Sequence, residues 1–137
     1  MSIDGKWCDA EDGATADILN PATGEVMATT PKATLADVNR CVDASTAAFN
    51  DSSWKNMDPA QRGRILNKMA QATYAKAKEL AVIESNNNGK TFREALSEIR
   101  YGAWTLEYFA GLSDKIEGST IPVPGNRLNY TLRQPLG

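Results

Sequence analysis

Histidine is absent from this chain of 137 residues. Its absence excludes the Ser-His-Asp and Cys-His arrangements of nucleophilic catalysis within the chain, and it removes the commonest ligand of zinc sites. The two cysteines, Cys8 and Cys41, are too few for a disulfide framework or a cysteine-based metal cluster. Several large enzyme and metalloprotein classes are therefore excluded on residue types alone.

Long apolar runs and a strong charge imbalance are also missing. No run approaches the roughly 18 apolar residues of a membrane span. The first twenty residues carry five acidic side chains, which is the opposite of a signal peptide. Fifteen basic residues oppose 17 acidic ones, so non-specific binding to nucleic acid is not favoured. We expect a cytoplasmic protein with no membrane or nucleic-acid partner.

Large aliphatic side chains are scarce. Leu, Ile, Val and Phe together account for 25 of the 137 residues, whereas alanine alone accounts for 19. The low net charge of -2 argues against disorder, which needs high charge as well as low hydrophobicity. The composition therefore predicts a folded, alanine-rich, mostly helical chain with a thin core that depends on a partner surface.

The first segment, residues 1–33, predicts short strands and tight turns. Residues 2–8 alternate and predict one extended strand. The turn Asn20–Gly24 combines a proline, which fixes φ, with a glycine, which tolerates positive φ. Because it separates Ile18-Leu19 from an alternating stretch at 25–30, we expect a β-hairpin here.

The middle segment, residues 34–118, predicts three amphipathic helices. Thr34 is a capping residue for the first helix. Its predicted buried stripe comprises Val38, Cys41 or Val42, Ser45 and Phe49. Asp58-Pro59 starts the second helix, which we expect to run to Asn88 and to end at Gly89 in a left-handed cap.

The third helix opens with a capping box at Thr91–Glu94. Its predicted buried face comprises Phe92, Leu96, Ile99, Ala103, Leu106 and Ala110. A second apolar stripe runs along the same helix and comprises Tyr101, Trp104, Thr105 and Tyr108. Two interpretations of this second stripe stay open: it contacts more core, or it forms the wall of a ligand tunnel or a contact with a partner.

The last segment, residues 119–137, changes to strand periodicity. Two strands, Ser119–Val123 and Arg127–Arg133, are predicted to form a hairpin around Pro124-Gly125-Asn126. The whole pattern predicts an α+β fold with an N-terminal β-hairpin, three main amphipathic helices and a C-terminal β-hairpin arm. We treat the three segments as one unit rather than separate domains.

Few side chains are candidates for chemistry. Cys8 and Cys41 have no neighbouring histidine, and we interpret both as structural. Gly89-Lys90-Thr91 looks like part of a phosphate-binding loop, but it lacks the leading glycine and the preceding strand, so a helix end is the better interpretation. From residue types and spacing alone, this chain lacks a complete active site.

Seven short segments occur in the order and approximate spacing of a known family. They are Asn20–Val26, Arg62–Leu66, Glu84–Thr91, Tyr108–Gly111, Asp114–Gly118, Ile121–Gly125 and Tyr130–Gly137. Together they resemble the amino-terminal part of NAD(P)-dependent aldehyde dehydrogenases, with most similarity to betaine-aldehyde and semialdehyde dehydrogenases. The resemblance covers roughly the first quarter to third of the family enzyme, so it implies a fragment of that α/β fold.

The resemblance implies oxidation of an aldehyde to a carboxylic acid with NAD or NADP as cofactor. In the family a thiolate attacks the aldehyde, a hydride passes to NAD(P)+, and water hydrolyses the thioester. The family's catalytic cysteine, general-base glutamate, oxyanion-hole asparagine and nucleotide-binding motifs have no matching positions here, and neither Cys8 nor Cys41 corresponds to that cysteine. We therefore expect no catalytic residue, no bound cofactor and no activity from this chain alone.

The resemblance also implies roles for residues that do match. The family often binds a monovalent cation at positions that correspond to Ile18, Leu19 and Asn87, although it has an aspartate where this chain has Asn87. Tyr101 corresponds to a position at the mouth of the aldehyde tunnel. Residues 34–118 correspond to helices of the cofactor domain and residues 119–137 to an oligomerisation arm.

Two hypotheses follow from the resemblance. The chain is an amino-terminal segment of an aldehyde dehydrogenase, or it is a stand-alone interaction module that docks on a full-length dehydrogenase through its hairpin arm. Under either hypothesis, the low aliphatic content and the exposed edge of the hairpin predict self-association into a dimer or a larger oligomer.

Overall fold

Helices and short hairpins alternate along residues 1–136, which are the residues that this computed structural model describes, with the side chain of Ser52 left aside. The elements are β1 (Ser2–Ile3), β2 (Lys6–Trp7), β3 (Thr15–Leu19), β4 (Val26–Pro31), α1 (Leu35–Asn50), α2 (Ser52–Lys55), α3 (Pro59–Ala75), α4 (Ala77–Asn88), α5 (Phe92–Leu112), β5 (Thr120–Ile121) and β6 (Asn129–Tyr130). The strands form three separate antiparallel pairs, β1–β2, β3–β4 and β5–β6. The α+β architecture is as the sequence predicts.

The β3–β4 hairpin confirms the turn at Asn20–Gly24. The Asn20 side chain accepts a hydrogen bond from the Ala22 amide at 2.9 Å, and the Asn20 carbonyl accepts one from the Gly24 amide at 2.8 Å. Gly24 has a φ of +74°, a conformation that costs glycine little and other residues more. The turn residues thus satisfy their own backbone groups and fix the register of the two strands.

The single strand predicted for residues 2–8 is wrong. The segment folds back on itself, so that Ser2 pairs with Trp7 and Ile3 pairs with Lys6. Both turn residues, Asp4 and Gly5, have positive φ, at 51° and 70°. Asp-Gly is the dipeptide that favours this hairpin turn, and here it overrides the alternating pattern on either side.

Asp37 is the buried charge that fixes the start of α1. Its side chain is fully buried and accepts hydrogen bonds from the Thr34 amide at 2.9 Å, the Thr34 hydroxyl at 2.9 Å and the Glu11 amide at 3.2 Å. Arg40 adds an ion pair at 2.5 Å. The Thr34 amide bond is the main reason that the pKa of Asp37 lies well below its usual range. This carboxylate therefore completes the capping box and ties residue 11 to the helix.

The buried stripe predicted for α1 is wrong within this chain. Val38, Val42 and Phe49 are all exposed, and Cys41 is half-buried. Among the helices and strands, α1 has its main contacts with β1 rather than with another helix. Amphipathic spacing identifies the apolar face of a helix, but it does not say that the covering surface belongs to the same chain.

The second predicted helix is divided in two. Asp58 caps α3 through the Ala60 amide at 2.7 Å, and Pro59 is its first residue, as expected. Lys76, with φ of −101° and ψ of 10°, leaves helical geometry and separates α3 from α4. The bend places Ala77 and Ala81 in the core. No glycine or proline marks this break in the sequence.

Small residues form the core among α3, α4 and α5. The buried positions are Ala70, Ala77, Ala81, Ala95 and Ala103, together with Gly63. A Cβ on Gly63 would stand only 2.6 Å from the Ala110 carbonyl oxygen, so the backbones of α3 and α5 approach closely there. The thin, alanine-rich core predicted from composition is confirmed. None of the helices in residues 1–136 is long and apolar enough to cross a bilayer.

The carboxy-terminal hairpin is shorter than predicted. The paired residues are Thr120 with Tyr130 and Ile121 with Asn129. Hydrogen bonds continue beyond them, because the Thr131 amide donates to the Ser119 carbonyl at 2.9 Å. Gly137, the last residue of the predicted arm, lies outside the described residues.

Replacing Gly63 with alanine is expected to destabilise the fold by about 1–3 kcal/mol, because the added methyl group meets a backbone carbonyl that cannot move independently. Gly102 on α5 is the matched control, since a Cβ there meets nothing within 4 Å. Gly102→Ala is expected to stabilise by about 0.5–1 kcal/mol. Urea unfolding of both variants measures the difference, and equal effects would contradict the close approach.

Replacing Asp37 with asparagine is expected to destabilise the fold at neutral pH. The folded state lowers the pKa of this carboxyl below its unfolded value of about 3.9. Its contribution is therefore fully present above that value and is lost as pH falls toward the folded pKa. The stability difference between wild type and Asp37→Asn should shrink as the pH of the unfolding experiment is lowered through about 4. Asp43→Asn, on the exposed face of α1, should have little effect, and a pH-independent difference for Asp37→Asn would contradict the assignment.

Candidate functional site

Four aromatic rings form a continuous ladder along the outer face of α5. Tyr101 stacks on Trp104 with ring centroids 5.5 Å apart, and Trp104 stacks on Tyr108 at 6.0 Å. Tyr108 meets Phe109 edge-on at 5.3 Å. About half or more of each side chain is exposed, with Tyr101 the most exposed at 66%. Within this chain the aromatic residues of the second stripe therefore form a surface and are not covered by the chain's own core.

The other face of α5 packs against α3 and α4. Ala95 and Ala103 are fully buried there, while Leu96, Ile99 and Leu106 are half-buried. Phe92, which was expected on this face, is 43% exposed because it stands at the first turn of the helix. The helix thus separates a packed face from an aromatic face, which is the division that its two stripes predict.

The predicted cation positions lie on two segments that meet. Ile18 and Leu19 are in β3, and Asn87 is in the last turn of α4. The turn after β3 packs on the end of α4, since a Cβ on Gly89 would stand 3.0 Å from the Pro21 ring. Asn87 is exposed, and its amide brings no charge to the site. Among residues 1–136, no group of three or more Cys, Asp or Glu side chains is arranged to hold a metal ion.

Gly89-Lys90-Thr91 is a junction between helices rather than a phosphate loop. Gly89 has a φ of +79° and donates its amide to the Ser85 carbonyl at 2.9 Å, which confirms the left-handed cap. Thr91 caps α5 by accepting from the Glu94 amide at 3.3 Å. These amides are therefore used within the fold and do not form a cradle for a phosphate group.

Lys90 joins the end of α4 to the start of α5. Its ammonium group pairs with Glu84 at 3.2 Å and with Glu98. The hydrogen bond to Glu98 is the main cause that raises the pKa of Lys90 above its usual value. The cluster is an ordinary set of ion pairs between two helices, since each charged group is paired with a group of opposite charge.

A second tie between helices was not predicted from the sequence. Glu107 of α5 accepts hydrogen bonds from the Gln71 amide at 2.8 Å and from the Tyr74 hydroxyl at 3.3 Å, both on α3. Partial burial, followed by the charge of Glu107, raises the pKa of Tyr74. The partners are separated by more than thirty residues, so only the packed fold brings them together.

The two cysteines have surroundings that suit a structural role. Cys8 is half-buried, and its sulfur lies 3.8 Å from the Met1 carbonyl oxygen as a weak donor. Cys41 is half-buried on α1. Neither cysteine lines either of two grooves on the surface of the helical part.

Both of these grooves have charged residues in their walls. One, of about 360 Å³, lies between α3 and the end of α5 and includes Arg64, Glu107 and Asp114 in its walls. The other, of about 450 Å³, lies beside the start of α3 and includes Arg62 and Arg133. Neither contains Tyr101 or the predicted cation positions. Both are open grooves rather than enclosed cavities.

Comparison with known proteins decides the family. The model of the aldehyde dehydrogenase family matches residues 7–137, nearly the whole chain. The chain belongs to the aldehyde dehydrogenase family. The resemblance carried by the seven ordered segments is therefore confirmed.

Three aldehyde dehydrogenase relatives illustrate the match. The chain is 46% identical to (Z)-2-((N-methylformamido)methylene)-5-hydroxybutyrolactone dehydrogenase of Acinetobacter baylyi, with 100% of this chain and 28% of that relative covered. It is 42% identical to aldehyde dehydrogenase, cytosolic 1, of Mus musculus, with 98% of this chain and 27% of that relative covered. It also superposes with a TM-score of 0.85 on a crystal structure of betaine aldehyde dehydrogenase from Staphylococcus aureus in complex with NAD+, at 32% identity over 90% of this chain and 25% of that one.

The chain thus spans about a quarter of the length of the aldehyde dehydrogenases that it matches. The match falls on an N-terminal portion of them. The expectation that the catalytic thiol, the base and the nucleotide-binding motifs have no counterpart among these residues stays a prediction. The roles of Tyr101, Ile18, Leu19 and Asn87 stay predictions.

Proposed function

We propose that this chain is the amino-terminal segment of an enzyme that oxidises an aldehyde to a carboxylic acid with NAD(P)+. The observation that carries this proposal is the superposition of nine-tenths of the chain on one quarter of an NAD+-bound family member. In this role the helical residues 34–118 support the cofactor domain and residues 119–137 form the oligomerisation arm. The chemistry is then performed by residues outside this segment.

The cofactor and the location follow from the same proposal. NAD is favoured over NADP by the complex of the Staphylococcus aureus relative, whose structure contains NAD+. A cytoplasmic location is supported by the mouse relative, which is named cytosolic. We propose that the isolated segment itself holds no nucleotide, because the nucleotide-binding motifs of the family have no matching positions in this sequence.

The 137-residue polypeptide is expected to give no NADH when it is mixed with NAD+ and betaine aldehyde or a simple aliphatic aldehyde. The reason is that neither Cys8 nor Cys41 corresponds to the family nucleophile, and no histidine or partner base activates them. Absorbance of NADH measures the outcome, with an active family member as positive control. Production of NADH that is abolished by Cys8→Ala or Cys41→Ala would contradict the proposal.

Two smaller roles belong to the same proposal. Tyr101 lines the mouth of the aldehyde tunnel, which is supported by its exposed ring at the end of the aromatic ladder. Ile18, Leu19 and Asn87 bind a monovalent cation, which is supported by the contact between the turn after β3 and the end of α4. Amide signals of Ile18 and Leu19 that do not respond to potassium would count against the cation site.

The segment is also proposed to self-associate. Its apolar side chains are poorly covered: Leu128 and Leu132 on the arm are 76% and 69% exposed, and the faces of α1 and α5 are open as well. Such patches and the unpaired edges of a two-stranded hairpin favour association. Docking of the arm on a full-length dehydrogenase, the alternative function, would use the same surface.

The isolated chain is therefore expected to sediment as a dimer or a larger species. Replacing Leu128 and Leu132 together with lysine should shift it toward monomer, because charges then occupy the apolar face of the arm. Asn126→Lys, in the exposed loop of the same hairpin, is the matched control and should leave association unchanged. A monomeric intact chain at high micromolar concentration would contradict self-association.

A further inference from the structure

The exposed dipeptide Asn88-Gly89 at the end of α4 has a chemically reactive sequence, but hydrogen bonds of the fold restrain it. Asn88 is followed by Gly89, the residue that hinders its neighbour least because it has no side chain. In flexible peptides the amide nitrogen of such a glycine attacks the side-chain carbonyl carbon of the asparagine. In this chain the dipeptide is the C-cap of α4, and each atom needed for that attack is held.

The attacking nitrogen is occupied by the helix cap. The Gly89 amide donates to the Ser85 carbonyl at 2.9 Å, so its N–H group is engaged by the helix cap. A Cβ on Gly89 would stand 3.0 Å from the Pro21 ring, which shows that the turn after β3 closes over the glycine. Rotation of this peptide group therefore needs the cap to open.

The Asn88 side chain is held from both ends. Its amide donates to a Glu84 carboxylate oxygen at 2.5 Å, and its carbonyl oxygen accepts the Lys90 amide at 2.9 Å. Three hydrogen bonds thus oppose the ring closure, although the side chain is exposed to water.

We propose that Asn88 is a site of spontaneous deamidation whose rate is controlled by opening of the α4 cap. In the open state the Gly89 nitrogen bonds to the side-chain carbonyl carbon of Asn88, the carbon–nitrogen bond of the side-chain amide breaks, and ammonia leaves. Water then opens the cyclic imide to aspartate or isoaspartate. The net change is an amide plus water to a carboxylic acid plus ammonia, with no oxidant or cofactor.

Deamidation of Asn88 would weaken the junction between α4 and α5. A carboxylate at position 88 stands next to Glu84 and loses the hydrogen bond that the Asn88 amide donates to it. Isoaspartate also adds one carbon to the main chain at the position where α4 must end. The modification is therefore coupled to the stability of the α4–α5 junction, and modified chains should open this corner more readily.

Mass spectrometry of the peptide that contains Asn88 tests the proposal on the intact chain. At mildly alkaline pH, the folded chain is expected to gain the mass of deamidation at least about tenfold more slowly than the chain unfolded in concentrated urea, because reaction needs local opening. Equal rates in the folded and unfolded chain would overturn the proposal. The peptide of the Asn88→Asp variant supplies the mass of the product.

Two matched variants assign the protection to the cap. Glu84→Ala removes the acceptor of the Asn88 amide and should accelerate deamidation of the folded chain. Glu79→Ala, on the exposed side of the same helix, should leave the rate unchanged. Equal rates in the two variants would overturn the role of the cap. If Glu84→Ala does not fold, hydrogen exchange of the Gly89 amide is measured in the unaltered chain. This amide should be protected from exchange under the conditions in which deamidation of Asn88 is slow. An unprotected Gly89 amide would overturn the proposal.

Discussion

The close approach of α3 to α5 is the constraint on which the helical part depends. Gly63 lies against the Ala110 carbonyl, and the alanines of α4 and α5 continue the same narrow helix–helix interface. Side chains this small add little apolar burial each, at about 25 cal/mol per Å². Their contribution is instead to let three helices pack at short distance, which brings side chains of different helices within hydrogen-bonding range. Glu107 reaches Gln71 and Tyr74 because α3 and α5 lie close together.

A helix–helix interface made of such small residues leaves the larger side chains on the outside. The aromatic ladder of α5 and the apolar face of α1 remain exposed while alanines occupy the interior. This distribution is the reverse of a self-sufficient small domain, in which the large residues supply most of the burial. It fits a segment that corresponds to about a quarter of the length of its relatives.

Local signals in the sequence predicted local structure well. The caps at Thr34, Asp58 and Gly89 were recognisable because each depends on one or two adjacent residues. The single strand predicted for residues 2–8 is wrong because the Asp-Gly dipeptide inside it forms a tight turn, which the alternation on either side does not reveal. The break at Lys76 has no such signal, because it arises where α4 turns to bring its alanines against α5.

The candidate site could be predicted only as far as faces and segments. Two stripes on α5 were separable from their spacing, but whether the aromatic one was covered depends on surfaces that periodicity does not encode. Contacts between distant residues, such as Glu107 with Tyr74, require the packed fold. The family itself was recognisable from seven ordered segments, since order is a property of the whole chain. Within the described residues, this segment thus presents uncovered apolar surfaces beside a small, alanine-rich core.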